Sequence, residues 1–177
     1  LESLGLEVNV VNKDGNTPLH NLAYGNKDLK TLQYFLDKGV NPNQVNEEGN
    51  SVLMHAAYRN SLEVVSLFAN KTKNINHKNK DGNSALTASV AGNASDIVKF
   101  ILDKGGDINL IDNKGNSLAY YLIESYGDRY KEDFKKKKNL LVNNGLNLNK
   151  IQAGKNTLFH LAIDKNSLNL LKEISYL

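Results

Sequence analysis

The chain of 177 residues has 22 basic and 19 acidic residues, a formal net charge of +3, and a hydrophobic content of 40%. This composition excludes a disordered chain. Apolar runs stay short of the ~18 residues that span a membrane, and the absence of cysteine excludes disulfides and thiolate metal sites. Asn and Lys are abundant, a bias typical of AT-rich genomes such as those of many bacteria, so we give it no functional weight.

A short motif around a Gly-Asn pair recurs along the chain. It begins as Asp-Gly-Asn-Thr-Pro-Leu-His at residues 14–20 and returns in altered form near residues 48, 81, 114 and 154. The hydroxyl residue of the motif recurs at intervals of 34, 33, 33 and 40 residues, as Thr17, Ser51, Ser84, Ser117 and Thr157. A fixed period near 33 residues predicts an array of repeated structural units.

Each unit predicts the same elements in the same order. The Gly-Asn turn leads to a Ser or Thr that caps a short helix. These first helices are predicted at residues 19–24, 53–58 and 86–91. After a polar break, apolar residues at i, i+3 and i+4, such as Ile97, Val98 and Ile101, predict a second helix. The left-handed residue that ends this helix is predicted at Gly39, Gly105 and Gly145.

The motif at residues 14–20, the paired helices and the Gly-x-x-x-Asn spacing together resemble the ankyrin repeat family over the whole chain. The resemblance implies an all-α solenoid of about five helix-turn-helix repeats with projecting β-hairpin fingers. It also implies binding of other proteins along the fingers and the concave surface of the first helices, and very rarely catalysis. We therefore predict a protein-protein interaction scaffold that is not an enzyme.

The period also predicts how the chain is divided. A single array is expected: residues 1–10 form the tail of a preceding repeat, and repeats follow at about 11–44, 45–77, 78–110, 111–150 and 151–177. Leu1, Leu4 and Leu6 are apolar where an end cap is polar. We expect a monomeric piece of a longer protein, cytoplasmic by default, with any targeting signal outside this sequence.

Three repeats depart from the pattern. Thr72 replaces the terminal glycine of repeat two and Lys155 replaces the turn glycine of repeat five, which predicts slightly irregular fingers. Repeat four is seven residues longer, which is about two helical turns. Its Lys137 and Lys138 align with the apolar pair at residues 97–98. Three arrangements remain open: the lysine stems cover apolar surface while the charged heads reach water, the helix is rotated, or the insertion loops out.

The lysine run at residues 135–138 favours a solvated helix face. Its functional alternative is a basic patch edged by aromatic residues that binds an acidic partner. Nucleic acid is a less favoured partner, because the charge outside residues 126–138 sums to zero and a backbone-tracking protein needs a basic stripe.

The finger tips and the ends of the first helices vary while the frame repeats. Tyr and Arg are favoured anchors at protein interfaces, so Tyr24, Tyr58 and Arg59 are the first candidates. The predicted protein-binding residues are Lys13, Asp14, Tyr24, Glu47, Glu48, Tyr58, Arg59, Lys80, Asp81, Asn113, Lys114, Glu124, Tyr126 and Tyr130.

The sequence predicts no catalytic, cofactor-binding or metal-binding residue. His20 and His160 occupy the same slot after the capping Thr, which indicates a structural role. His55 and His77 have no partner at the spacing of a metal site, and no nucleophile motif, calcium loop or phosphate-binding glycine loop is present. An alternative function is a targeting or regulatory segment of a larger enzyme or effector whose chemistry is encoded elsewhere.

Overall fold

The computed structural model describes residues 7–25, 28–59, 61–92, 95–149 and 157–175, and α-helices in them follow one another in pairs. Two isolated antiparallel bridges, Val45 with Ser51 and Ile111 with Ser117, are the only β-type pairing in these residues. A 3-10 turn at Asp128–Tyr130 precedes α8. The helices are α1 (Pro18–Ala23), α2 (Leu29–Asp37), α3 (Val52–Arg59), α4 (Leu62–Ala69), α5 (Ala85–Ala91), α6 (Ser95–Asp103), α7 (Leu118–Glu124), α8 (Lys131–Asn143), α9 (Leu158–Asp164) and α10 (Leu168–Ser175).

The helix pairs stack in chain order. The first helices form one layer, in which α1 contacts α3, α3 contacts α5, α5 contacts α7 and α7 contacts α9. Behind them, α4 contacts α6 and α6 contacts α8 in a second layer. Each pair thus buries its apolar face against its neighbours, as in a solenoid. The all-α solenoid prediction is confirmed. Of the predicted hairpin fingers, those at residues 45–51 and 111–117 are tight turns, each closed by a single bridge.

The core is built from the same helix positions in successive repeats. Leu19, Leu53 and Leu86 occupy the second position of a first helix and are buried, and Ala23 and Ala57 are buried one turn later. The small Ala side chains permit close approach of neighbouring first helices. Burial of such apolar surface is the main stabilising term, at roughly 25 cal/mol per Å².

The second helices end as the sequence predicts in three repeats. Gly39, Gly105 and Gly145 have φ values of 82°, 90° and 94°, the left-handed conformation that glycine adopts at low cost. In repeat two, α4 ends without a left-handed residue, and the hydroxyl of Thr72 instead bonds the backbone of Asn74.

The insertion of repeat four lengthens its second helix. Helix α8 has 13 residues, against 8 or 9 in α2, α4 and α6. Lys137 and Lys138 fall on its buried face beside Phe134 and Leu141, so the helix keeps its register and does not loop out. The predicted repeat boundaries remain predictions, and the expectations for Lys155 and the first six residues lie outside the described residues. No helix in the described part of the chain is long and apolar enough to cross a membrane.

Candidate functional site

Each finger is a turn organised by the side chain of its first residue. The Asn12 side-chain oxygen accepts from the backbone N–H groups of Asp14 and Asn16, at 3.0 and 2.9 Å. The same pair of bonds recurs in the next three fingers, at Asn46, Asn79 and Asp112. These bonds join a side chain to backbone N–H groups two and four residues later, so the finger shape is set locally. This role of asparagine was not predicted from the sequence, although its recurrence on the repeat period was a usable signal.

Successive finger tips are joined through their backbones. The N–H groups of Glu47, Lys80 and Asn113 donate to carbonyls of the preceding finger at 3.0, 3.0 and 2.8 Å. Gly82 lies at such a junction, since a Cβ there would lie 2.7 Å from the Asn113 nitrogen. These backbone groups are therefore hydrogen-bonded within the array, whereas the side chains of the predicted tip residues are exposed. These residues are Lys13, Asp14, Glu47, Glu48, Lys80, Asp81, Asn113 and Lys114.

Side-chain amides link the bases of the first three fingers. The Asn46 amide donates to the Asn16 side-chain oxygen, and the Asn79 amide donates to that of Asn50, both at 2.8 Å. We call this series the amide ladder. It stops at the fourth finger, where Asp112 replaces the donor amide and the Asn83 side-chain oxygen is buried without a hydrogen bond.

Asp112 is instead held by its own repeat. Its carboxylate accepts from the Tyr121 hydroxyl at 2.5 Å and the Asn116 amide at 2.9 Å. Burial acts to raise the pKa of Asp112, but these hydrogen bonds outweigh it and hold the pKa below its usual value. Burial and the bond to Asp112 raise the pKa of Tyr121. Asp112 therefore carries a fixed negative charge beneath the fourth finger.

Three predicted site residues come together at the ends of α1 and α3. The rings of Tyr24 and Tyr58 stack at 6.2 Å with an interplanar angle of 19°, and the Arg59 guanidinium lies 5.7 and 5.6 Å from the two ring centroids. We call these residues the tyrosine–arginine cluster. Both rings and Arg59 are exposed. Cation–π contact of this kind attracts a guanidinium to aromatic rings.

A groove of about 270 Å³ runs from this cluster along the first helices. Its lining consists of Tyr24 at the end of α1, the helical residues Met54, His55, Tyr58, Thr87, Ala88, Ala91 and Tyr121, and the finger-base residues Asn50, Asn79 and Asn83. The volume lies just below the ~300–1,000 Å³ typical of small-molecule pockets. The groove accommodates a protruding side chain better than a cofactor.

Two histidines hold this surface together. His20 Nδ1 accepts from the Thr17 N–H at 3.2 Å, so its Nε2 carries the proton and donates to the Asn50 carbonyl at 3.1 Å. His55 bonds the His20 carbonyl at 3.2 Å, and its ring meets the His20 ring edge-on at 5.3 Å. Burial lowers the pKa of His20 to about 4 and also lowers that of His55. Both rings are thus neutral inter-repeat braces.

The other two histidines also make structural contacts. His160 bonds Thr157 as His20 bonds Thr17, at 2.8 Å between hydroxyl and Nδ1, and His77 bonds the Gly49 carbonyl at 2.8 Å. Across the described ranges, no group of three or more His, Asp or Glu side chains is arranged to hold a metal ion.

The lysine run does not form the basic patch considered above. Lys137 is 1% exposed, and its ammonium donates to the Val90 and Gly92 carbonyls at 3.0 and 2.6 Å, with Asp133 at 3.5 Å. Burial lowers its pKa, and the Asp133 carboxylate opposes that shift. The Lys138 ammonium donates to the Glu173 carbonyl at 2.7 Å. The stem-covering arrangement placed both head groups in water, whereas both donate to backbone carbonyls at the ends of α5 and α10.

Of the other two lysines of the run, one forms ion pairs and one is exposed. Lys135 makes ion pairs with Glu132 and Glu173 at 3.3 and 3.7 Å, while Lys136 is exposed. Two of the four lysines expected to form a site for an acidic partner are therefore buried.

The last three predicted site residues belong to repeat four. Glu124 is exposed and pairs with Lys165 at 3.4 Å. Tyr126 is half-buried and packs edge-on against Phe134 with centroids 4.9 Å apart, whereas Tyr130 is exposed. None of the three lines the groove.

Comparison with known proteins agrees with this architecture. The family described as "Ankyrin repeats (3 copies)" matches residues 1–79 and 20–112, which together cover residues 1–112 of 177 and so more than half of the chain. A search of curated proteins finds no match. On the recurring motif, the stacked helix pairs and this match, the chain belongs to the ankyrin repeat family.

Proposed function

We propose that the array binds another protein through its finger tips and the concave groove of the first helices. Ankyrin repeats are generally protein-protein interaction modules and typically non-enzymatic. The observation that carries the proposal is the tyrosine–arginine cluster beside the groove. Exposed Tyr and Arg side chains that are already ordered lose little side-chain entropy on binding, which is why such residues dominate interfaces.

The fingers supply variable polar contacts around that anchor. Their backbones are bonded to one another, so the tip side chains project from a fixed frame, with acidic and basic residues interspersed. An interface with an aromatic centre and a polar edge has the general anatomy of protein–protein contacts. A targeting or regulatory role within a longer chain, the second candidate, would use the same surface and stays a prediction.

The proposal is tested with a matched pair of double variants. Tyr58→Ala with Arg59→Ala removes most of the cluster. Tyr34→Ala with Lys38→Ala removes a tyrosine of α2 and the lysine that caps this helix, whose ammonium lies 5.8 Å from the Tyr34 ring centroid in the other helix layer. The two tyrosines are equally accessible, at 36% and 37%. Partners captured by the immobilised array are identified by mass spectrometry, purified, and titrated against each variant.

We expect the cluster variant to weaken binding about 30-fold or more, as loss of an interface hot spot does, with thermal unfolding unchanged. The α2 variant should bind as the parent does. Equal affinities for both variants, or equal losses, would place the binding surface elsewhere.

A further inference from the structure

The charge of Arg59 is uncompensated. Its guanidinium faces the rings of Tyr24 and Tyr58, and within the described ranges no carboxylate forms an ion pair with it. The matching end of α7 shows the contrast, because Glu124 there is neutralised by Lys165 at 3.4 Å. Asp112, the buried charge near the groove, already accepts from Tyr121 and Asn116. Among the described residues beside the groove, Arg59 therefore supplies an unpaired positive charge.

The position of Arg59 favours one kind of partner group. Its guanidinium lies 5.7 and 5.6 Å from the two ring centroids in an exposed side chain, and its N–H donors form a planar fork. That geometry suits a carboxylate, which accepts two parallel N–H bonds. Contact with both rings restricts the side chain, so less rotamer entropy is lost when the bonds form.

The groove beside Arg59 is small, and most of its exposed lining is apolar. Met54, Ala88 and Ala91 line it together with the tyrosines, and its polar lining consists of Asn50, His55, Asn79, Asn83 and Thr87. Its volume of about 270 Å³ has room for a single large side chain rather than a helix. An apolar side chain placed there displaces water from aromatic and methyl surface. The site thus has two adjoining parts, of which one suits a carboxylate and the other suits an apolar group.

Resting on the proposed function, we infer that the partner is a protein segment that presents an Asp or Glu next to a large apolar side chain. The acid binds Arg59 and the apolar side chain enters the groove. A nucleic acid fits less well, because the described finger tips carry the carboxylates Asp14, Glu47, Glu48 and Asp81 against Lys13, Lys80 and Lys114. A phosphate backbone requires a basic stripe instead.

The test uses a random peptide library displayed on phage and selected on the intact array. Enriched peptides are synthesised and titrated against the parent chain, Arg59→Gln, Tyr58→Ala and the control Lys38→Gln, with thermal unfolding recorded for each. We expect enriched sequences to share an acidic residue beside Leu, Ile, Phe or Met. Arg59→Gln should weaken them about tenfold or more, the effect of losing a charge-assisted pair, while Lys38→Gln leaves affinity unchanged.

Several results overturn the inference. Peptides without an acidic residue, or peptides that need Tyr58 but bind Arg59→Gln normally, overturn it while leaving the proposed surface in place. Peptides that are indifferent to both substitutions overturn the inference and the proposed surface together. A library that yields no binder overturns the inference, as does tight binding of a fluorescent single-stranded oligonucleotide that Arg59→Gln abolishes.

Discussion

Repeats one to three and repeat four are joined to their neighbours by different kinds of polar groups. In the first three, neighbouring fingers are joined by neutral amides, from Asn46 to Asn16 and from Asn79 to Asn50. Repeat four uses charges instead: Asp112 replaces the next amide, and Lys137 is buried against the carbonyls that end α5. A buried neutral amide requires a well-placed hydrogen-bond partner, whereas a buried charge also requires groups that compensate its lost hydration. Repeat four should therefore be the more sensitive to substitution.

The largest expected effect comes from Lys137→Met, which keeps the buried stem and removes the ammonium. The Val90 and Gly92 carbonyls then lose a donor and Asp133 loses its counter-charge. We expect the free energy of unfolding to fall by about 3–5 kcal/mol, as for other broken buried pairs. Urea denaturation measures the change, and exposed Lys136→Met is the control. An unchanged midpoint for Lys137→Met would mean that the charge network contributes nothing.

The second effect is pH dependence from repeats one and two. His20 is neutral when folded, with a pKa of about 4, and its ordinary value is 6.5. Between those values the unfolded chain binds the extra proton, so stability is complete above pH 6.5 and is lost as the pH falls towards 4. The loss reaches about 3 kcal/mol, with a contribution of the same sign from His55, which faces His20.

Unfolding free energies measured from pH 7 to 4 test this slope. Because Asp112 has a lowered pKa, its contribution is present above its ordinary value of 3.8 and is lost only at lower pH. His20→Gln should flatten the curve between pH 6.5 and 4 and leave the steeper fall below it. A curve of unaltered slope in that variant would contradict the assignment to His20.

The third effect compares two glycines that both have positive φ. Gly82 lies where a Cβ would meet the Asn113 backbone at 2.7 Å, whereas Gly105 has open space around it. Gly105→Ala is expected to cost about 1–2 kcal/mol from backbone strain alone. Gly82→Ala should cost about 2–4 kcal/mol, because the junction between the third and fourth fingers must also shift. Equal losses in thermal unfolding would show that the fingers are not packed against one another.

The smallest effect concerns the bond that replaces the amide ladder in repeat four. Tyr121→Phe removes the hydroxyl that donates to Asp112 at 2.5 Å. We expect a loss of about 1–2 kcal/mol, as for one hydrogen bond to a charged group that keeps other donors. Tyr120→Phe, on the adjacent residue of α7, should change stability by less than about 0.5 kcal/mol. An equal loss of stability in both variants would show that the Tyr121 hydroxyl makes no particular contribution through Asp112.

Much of this architecture could be predicted from residue type and period. The paired helices, their buried positions and the left-handed Gly39, Gly105 and Gly145 all follow from local pattern, because each repeat encodes its own helical hairpin and meets only its neighbours. Tyr24, Tyr58 and Arg59 were chosen by residue type and by their place at the variable ends of the first helices. Their assembly into one cluster depends on how α1 stacks against α3, which sequence spacing does not specify.

The polar chemistry between repeats was decided by tertiary structure. The Lys137 ammonium bonds carbonyls 45 and 47 residues earlier in the chain, and no local pattern reveals which carbonyls end up opposite a given side chain. The asparagines that organise the fingers differ, because their bonds are local and they recur on the repeat period. Apolar burial is non-directional and so can be inferred from periodicity, whereas hydrogen bonds require particular atoms within about 3 Å, and only the packed array brings those atoms together.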